Sequence, residues 1–310
     1  MRRVLKFLVI LSLLLLLLPV AALFVLSFFN TRTEISAAFT ESVVLHGEEG
    51  VLQSPLELKV ATFNIQDLPF IGENRPERMR AIAMKLLVLD PDVVGFQEAF
   101  VEADRNLLIA ELKNTRLQHH QYYGSGMVGS GLLISSAYPI EEAWFTQFAE
   151  SGPWFKLWEG DFWAGKGVAL ARLALPDGLG YLDFFNTHAQ AGYGNPYYKQ
   201  VRLAQLRQMA QFINDARAIR LPGLVVGDIN CRPDSEEYNA LVSESGLVRL
   251  MTLDSGIDHI FGIENDAYAY EVLETHEIAE RVRVNQKEFD LSDHSGYIST
   301  IRISPKESTS

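Results

Sequence analysis

The sequence predicts an α+β domain carried behind an apolar N-terminal helix, on three observations. From Leu56 onward, strand-like and helix-like patterns alternate and finish in a group of late strands. No internal repeat, low-complexity tract or second linker interrupts them, so 310 residues fit one large catalytic-sized unit plus a leader. Six strand-like segments end on titratable or amide side chains, which a rigid sheet would present from one edge.

The elements follow in chain order. Residues 1–29 form an anchor or signal segment: Phe7–Phe29 is uncharged over 23 residues, and about 20 suffice to cross a bilayer as a helix. Arg2, Arg3 and Lys6 precede it, which by the positive-inside rule leaves the N-terminus in the cytoplasm and the remainder outside. The small residues Val20-Ala21-Ala22 offer a cleavage site, so a secreted product is the competing expectation. The apolar run continues past that point to Phe29 and favours the anchor. Residues 30–55 read as a polar linker, 56–304 as the domain and 305–310 as a tail.

Within the domain, "LELKVATFN" reads as a strand ending at Asn64. "RPERMRAIAMKLLVLD" reads as a helix, with Pro76 at its start and Met79, Ile82 and Leu86 at helical spacing. "DVVGFQE" is a short strand ending at Glu98, and "DRNLLIAELKN" a second helix. "GSGLLISS" and "KGVALARLAL" follow as strands, then "YLDFFNTH", ending at His188. "QVRLAQLRQMAQFINDARA" is amphipathic through Leu203, Leu206, Met209 and Ile213. "PGLVVGDIN" ends on Asp228 and Asn230, which share a face if the chain is still extended. A helix from about Glu236 and the late strands "GIDHIFGI", "YAYEVLE" and "GYISTIRI" complete the chain.

Composition narrows the function. With 48% hydrophobic and 21% charged residues, a packed core is expected. A net charge of −12 suits poorly a protein that gains affinity by neutralising nucleic-acid phosphates. The single cysteine, Cys231, rules out an intrachain disulfide and thiolate metal clusters. All four tryptophans, Trp144, Trp154, Trp158 and Trp163, fall in one 20-residue span with Phe145, Phe148, Phe155 and Phe162 between them. Core packing is one reading; an aromatic loop at headgroup depth of a membrane is the other. Taken singly, each polar strand end reads equally well as a cap or a satisfied polar residue. Six together, at Asn64, Glu98, His188, Asp228/Asn230, Asp258/His259 and Asp293/His294, point to a site.

The segments "TFNIQ", "GFQEAF", "FNTHAQA", "VVGDIN", "IDHIFG" and "LSDHSGY", in this order, resemble the endonuclease/exonuclease/phosphatase superfamily of metal-dependent phosphoesterases. Within it, "GSGLLISSAYPI", "GKGVALARL" and "FFNTHAQAGY" are similar to segments of neutral sphingomyelinases. The resemblance implies two facing mixed β-sheets flanked by helices, a four-layer α/β sandwich, with the site where strand ends of both sheets converge. It implies Glu98 as metal ligand, with Asn64 beside it and Asp293 as a further contact. Carboxylates suit Mg²⁺, with Mn²⁺ as the alternative. His294 resembles the family's essential histidine, with Asp258 accepting its other ring N–H. Asp228 would orient or deprotonate the attacking water, Asn230 donate to phosphate, and His188 serve a phosphate oxygen or the leaving group. Lys166 would neutralise phosphate charge, with Asp161 as its partner when substrate is absent, or else be a solvated lysine. The sequence departs from the family at Gly256-Ile257-Asp258-His259, where Arg-Ile-Asp-Tyr is usual. The expected activity is Mg²⁺-dependent hydrolysis of a phospholipid at a membrane surface, sphingomyelin first among candidates. A surface or secreted nuclease, an inositol-phosphate phosphatase and a tethered binding module are the rival readings. No protein partner is implied.

Overall fold

The computed structural model describes residues 2–30, 51–69, 71–217, 221–279, 281–284 and 286–306. Most of the linker expected over 30–55 and the last residues of the tail lie outside these. The first helix, α1, is Arg2–Asn30, 29 residues with Pro19 inside it. Among the described residues no helix counts as long and apolar enough to cross a membrane. Yet α1 is helical through the whole uncharged run Phe7–Phe29, and at 1.5 Å per residue that run is about 35 Å long.

Two six-stranded mixed sheets face each other. One has the order β11-β14-β1-β2-β4-β3 and the other β5-β6-β7-β8-β10-β9. In the first, β1 (Leu56–Asp67) runs parallel to β2 (Val93–Ala99), and β3 (His119–Tyr122), β4 (Leu133–Ser136), β11 (Tyr268–Ile278) and β14 (Gly296–Pro305) join antiparallel. In the second, β7 (Tyr181–His188) runs parallel to β8 (Gly223–Asp228). Here β5 (Ile140–Gln147), β6 (Gly167–Ala174), β9 (Leu247–Arg249) and β10 (Asp258–Ile263) pair antiparallel. A separate hairpin, β12 (Arg281–Val284) with β13 (Lys287–Asp290), precedes β14.

Each strand's alternation sorts its residues between two cores. Leu58 and Val60 on β1, Leu182 and Phe184 on β7, Leu224 and Val226 on β8, and Ile260 on β10 meet between the sheets. The intervening Ala61, Phe63 and Ile65 face outward and pack under α2 (Arg75–Leu89) and α3 (Glu102–Leu112) through Met79, Ile82, Leu86 and Leu108. Phe185, Val225 and Phe261 pack under α4 (Tyr197–Arg217) and α5 (Glu236–Ser245) through Leu206, Met209, Ile213 and Leu241. The last helix starts cleanly because Ser235 caps it, its side chain accepting from the Tyr238 N–H.

The inter-sheet rows are apolar until they near one end, and there they turn polar. Val60 is followed on the same face by Thr62 and Asn64, Phe184 by Asn186 and His188, and Val226 by Asp228. Register brings three of these endings abreast: His188 pairs with Asp228, and Asp228 with Asp258. The sheets approach closely just behind them. A Cβ at Gly95 would lie 2.4 Å from Val226 and 2.9 Å from Asn186, so no larger residue fits there. The Asn186 side chain spans the gap, donating to the Phe96 and Leu133 carbonyls and accepting 2.7 Å from Gln97.

Candidate active site

At this polar end the two sheets touch through side chains. Asn64 Nδ2, from one sheet, donates 3.2 Å to Asp228 Oδ2 of the other. Asn64 lies near enough to Glu98 to pull its pKa down, and its Oδ1 accepts from the Gln66 N–H at 3.1 Å. Two of the site residues sit in strained backbone: Glu98 has φ 59° and Asn230 φ 54°. Left-handed conformations at non-glycine residues cost free energy and persist where the surroundings over-determine them. At Asn230 the turn is held by its own N–H donating to Asp228 Oδ1 at 2.9 Å and its Nδ2 to the Ala189 carbonyl at 3.0 Å.

His294, on the loop entering β14, directs Nδ1 at Asp258 Oδ2 (2.8 Å) and Nε2 toward Asp228 Oδ2 (3.8 Å). Burial alone would lower its pKa; the Asp258 hydrogen bond and the charges of Asp228, Asp258 and Asp293 carry it up to about 9. Asp228 is fully enclosed, and burial first, then the charge of Asp258, pushes its carboxyl up to about 7. Glu98 also rises to about 7 through burial, against the pull of Lys166 and Asn64.

His188 Nε2 lies 3.4 Å from Asp228 Oδ2 and 3.9 Å from Glu98 Oε1. Burial, Lys166 and His294 hold its pKa well below the usual value, so it is neutral. Lys166 Nζ is 3.0 Å from that Nε2, 2.8 Å from Asp161 Oδ1 and 2.7 Å from the Ala189 carbonyl. At 5% exposure Lys166 is a buried member of the cluster, and the reading of it as a solvated lysine is set aside. Asp293 stands exposed at the rim, although its charge is felt by Glu98, Asp258 and His294.

Asn64, Glu98, Lys166, His188, Asp228, Asn230, Asp258, Asp293 and His294 therefore gather at one end of the sandwich. His259 parts from its neighbour Asp258, as alternation requires. It is buried on the opposite face, with Nε2 on the Cys231 carbonyl and its ring stacked on Phe261. The aromatic span divides. Trp144 and Phe148 are buried in the outer core, whereas Phe155 and Trp158 are 57% and 77% exposed on the loop between β5 and β6.

The donor set fits a hard divalent cation. Glu98 and Asp228 bring carboxylate oxygens to within 3.9 and 3.4 Å of the same ring nitrogen of His188, and close by Asp258 Oδ1 is buried without a hydrogen-bond partner. Atoms of Asp228, Asp258 and His294 lie within 4.8 Å of one another. Oxygen-rich, anionic surroundings of this kind favour Mg²⁺-like ions over softer ones.

Comparison with known proteins bears on the family and the fold. Residues 61–294 match the model of the Endonuclease/Exonuclease/phosphatase family. A putative neutral sphingomyelinase of Drosophila melanogaster is 29% identical over 80% of this chain and 61% of its own length. An inositol phosphosphingolipids phospholipase C of Schizosaccharomyces pombe is 32% identical over 62% of this chain and 45% of its own. The chain thus spans less than two thirds of these relatives. The crystal structure of a Staphylococcus aureus beta toxin mutant with bound magnesium ions shares the fold, with a TM-score of 0.62 and 16% identity over 79% of this chain and 99% of that one.

Proposed function

Because the chain belongs to the endonuclease/exonuclease/phosphatase family, we propose that it is a Mg²⁺-dependent phosphodiesterase acting on a sphingolipid in a membrane. Sphingomyelin is the first candidate, with ceramide and phosphocholine as products. The observation that carries this reading is the convergence of Asp258–His294, Asp228 and Glu98 at the one end where both sheets contribute. A binding module needs neither a carboxylate behind His294 nor a second one near neutral pKa in front of it.

Glu98 would hold the metal, with Asn64 and Asp293 beside it, and the bound ion would draw charge from the phosphate oxygens. Asp228, poised near neutral pH, takes a proton from the attacking water as its oxygen bonds to phosphorus. His294, kept protonated by Asp258, gives a proton to the alkoxide as the P–O bond to the lipid breaks. Asn230 and Lys166 donate to the nonbridging oxygens, Lys166 exchanging Asp161 for phosphate. His188 accepts from Lys166 and keeps its ammonium aimed into the pocket.

The helix α1 is read as the anchor, with the domain outside the cytoplasm. The exposed Phe155 and Trp158 would rest at the lipid interface. The purified full chain should be assayed with Mg²⁺ against vesicles of sphingomyelin, an inositol phosphosphingolipid and phosphatidylcholine, and against DNA. Phosphocholine release from sphingomyelin, lost with EDTA, is expected. Turnover of DNA alone would make the protein a nuclease, and preference for the inositol lipid would change the headgroup but not the chemistry.

A further inference from the structure

Arg78, on α2, is 2% exposed, and among the described residues its guanidinium meets no carboxylate within ion-pair distance. Its hydrogen bonds go to backbone carbonyls instead. NH1 donates to Ile65 at 2.9 Å and to Leu291 at 2.8 Å, NH2 to Gln66 at 2.8 Å, and Nε to Glu73 at 3.1 Å. Gly72 makes room for this fork; a Cβ there would lie 3.0 Å from NH2, at a φ of +107°. Burying a cation that donates only to neutral carbonyls, with the charges of Asp67 and Asp293 favouring it from outside ion-pair distance, is an expensive way to fill a core. What distinguishes this one is the pair of segments it joins.

Ile65 and Gln66 directly follow Asn64. The Gln66 N–H holds Asn64 Oδ1, and Gln66 is itself in the left-handed region at φ 48°. Leu291 opens the loop that carries Asp293 and His294. From there Ser292 Oγ donates 2.6 Å to the Asn64 carbonyl and accepts from the His294 N–H at 3.2 Å. One guanidinium and one hydroxyl thus tie the half of the site that carries Asn64 to the half that carries His294. A planar fork aims fixed donors at all four carbonyls at once; an ammonium, with three donors radiating from one point, cannot serve all four.

We propose that Arg78 is a positioning residue for the hydrolytic site: its guanidinium clamps Ile65–Gln66 to Leu291 and, with Ser292, sets where His294 stands relative to Asn64 and Asp228. The activity arm of the test rests on the phosphodiesterase reading; the spectroscopic arm does not. In the metal-free protein the His294 Nδ1–H shared with Asp258 gives a downfield proton resonance, assigned by its loss in Asp258→Asn. Arg78→Lys keeps the charge and removes the fork. It is expected to shift or broaden that resonance and to lower kcat about 100-fold, the scale of a 1 Å misplacement, with KM changed by less than about threefold. Ser292→Ala should act in the same direction, and the double variant should be little worse than Arg78→Lys alone. If Arg78→Lys lowers the melting temperature while the resonance and the kcat of folded enzyme stay put, Arg78 only stabilises the fold and the proposal fails. Fully multiplicative losses with Ser292→Ala would also overturn it. Should Arg78→Lys not fold, Ser292→Ala decides: an unmoved resonance with wild-type kcat rejects the clamp. An enzyme inactive on every phosphodiester would sink the proposed function, while the resonance would still judge Arg78.

Discussion

Glu98 is where stability and function pull apart. A carboxyl whose folded pKa is raised from 4.5 to about 7 holds its proton more tightly in the folded state. Its charge therefore costs nothing below the unfolded value, and the cost grows as pH climbs through about 7, to on the order of 3 kcal/mol. Glu98→Gln should abolish Mg²⁺-dependent turnover while raising the melting temperature of the metal-free protein at pH 8. Turnover and calorimetry on the same preparation check it, and full activity would remove Glu98 from the metal site. The Asp258–His294 pair makes a second prediction. Asp258 favours the imidazolium, so the alkaline limb of the kcat profile should lie near pH 9. In Asp258→Asn that limb should fall toward the ordinary histidine range. His294→Ala should be at least as damaging, and the double variant no worse, because the carboxylate acts through the ring. These residues were legible in the sequence because each lies at, or within two residues of, one end of an apolar strand. Arg78 and Ser292 were not: their partners lie 213 and 228 residues away and are backbone carbonyls, which leave no side-chain signature.

At the level of elements, the sequence was readable where a strand or helix buries an apolar row. The helices over 75–89, 197–217 and 236–245 carry 3.6-residue periodicity, and β1, β2, β7 and β8 carry apolar runs. The hairpin β12–β13 was missed, since its strands pair only with each other and are largely exposed. Strands β3 and β5 were missed for a similar reason: β3 is half-buried throughout, and β5 sits at a sheet edge with Glu141 and Glu142 in its row. The aromatic span resisted a single reading because it is two things, the end of a core strand and an exposed loop. That division can be tested. Replacing Phe155 and Trp158 with Ala should sharply lower vesicle hydrolysis and leave both the melting temperature and turnover of a small soluble diester nearly unchanged. Trp144→Ala should instead cost about 3–5 kcal/mol of stability, as large aromatic truncations in cores do. Equal melting temperatures for the two variants would reject the division.

For the molecule as a whole, the question is which way the catalytic end points. The loops leaving the polar strand ends carry exposed Ile71 after β1, Met127 between β3 and β4, Phe155 and Trp158 between β5 and β6, and Tyr193 after β7. Register places all four at the site end: Phe96 pairs with Leu133, Gln147 with Gly167, and Val168 with Thr187. The helix α1 touches the same end, Phe24 lying edge-on to Trp154 with ring centroids 5.6 Å apart. On the proposed reading of α1 as an anchor, its contact beside the candidate site, within a rim of apolar side chains, would turn that site toward the membrane holding the chain. The expectation is hydrolysis in cis. Tethering raises the effective concentration of substrate, and such gains reach about 10²–10⁴-fold without any new contact. The 310-residue chain reconstituted in sphingomyelin vesicles should therefore turn over its own lipid at least about 100-fold faster than it attacks labelled sphingomyelin in separate vesicles mixed with it. Phe24→Ala should narrow that ratio while sparing a soluble diester. Equal cis and trans rates in the parent protein would mean that the catalytic end faces away from its own bilayer.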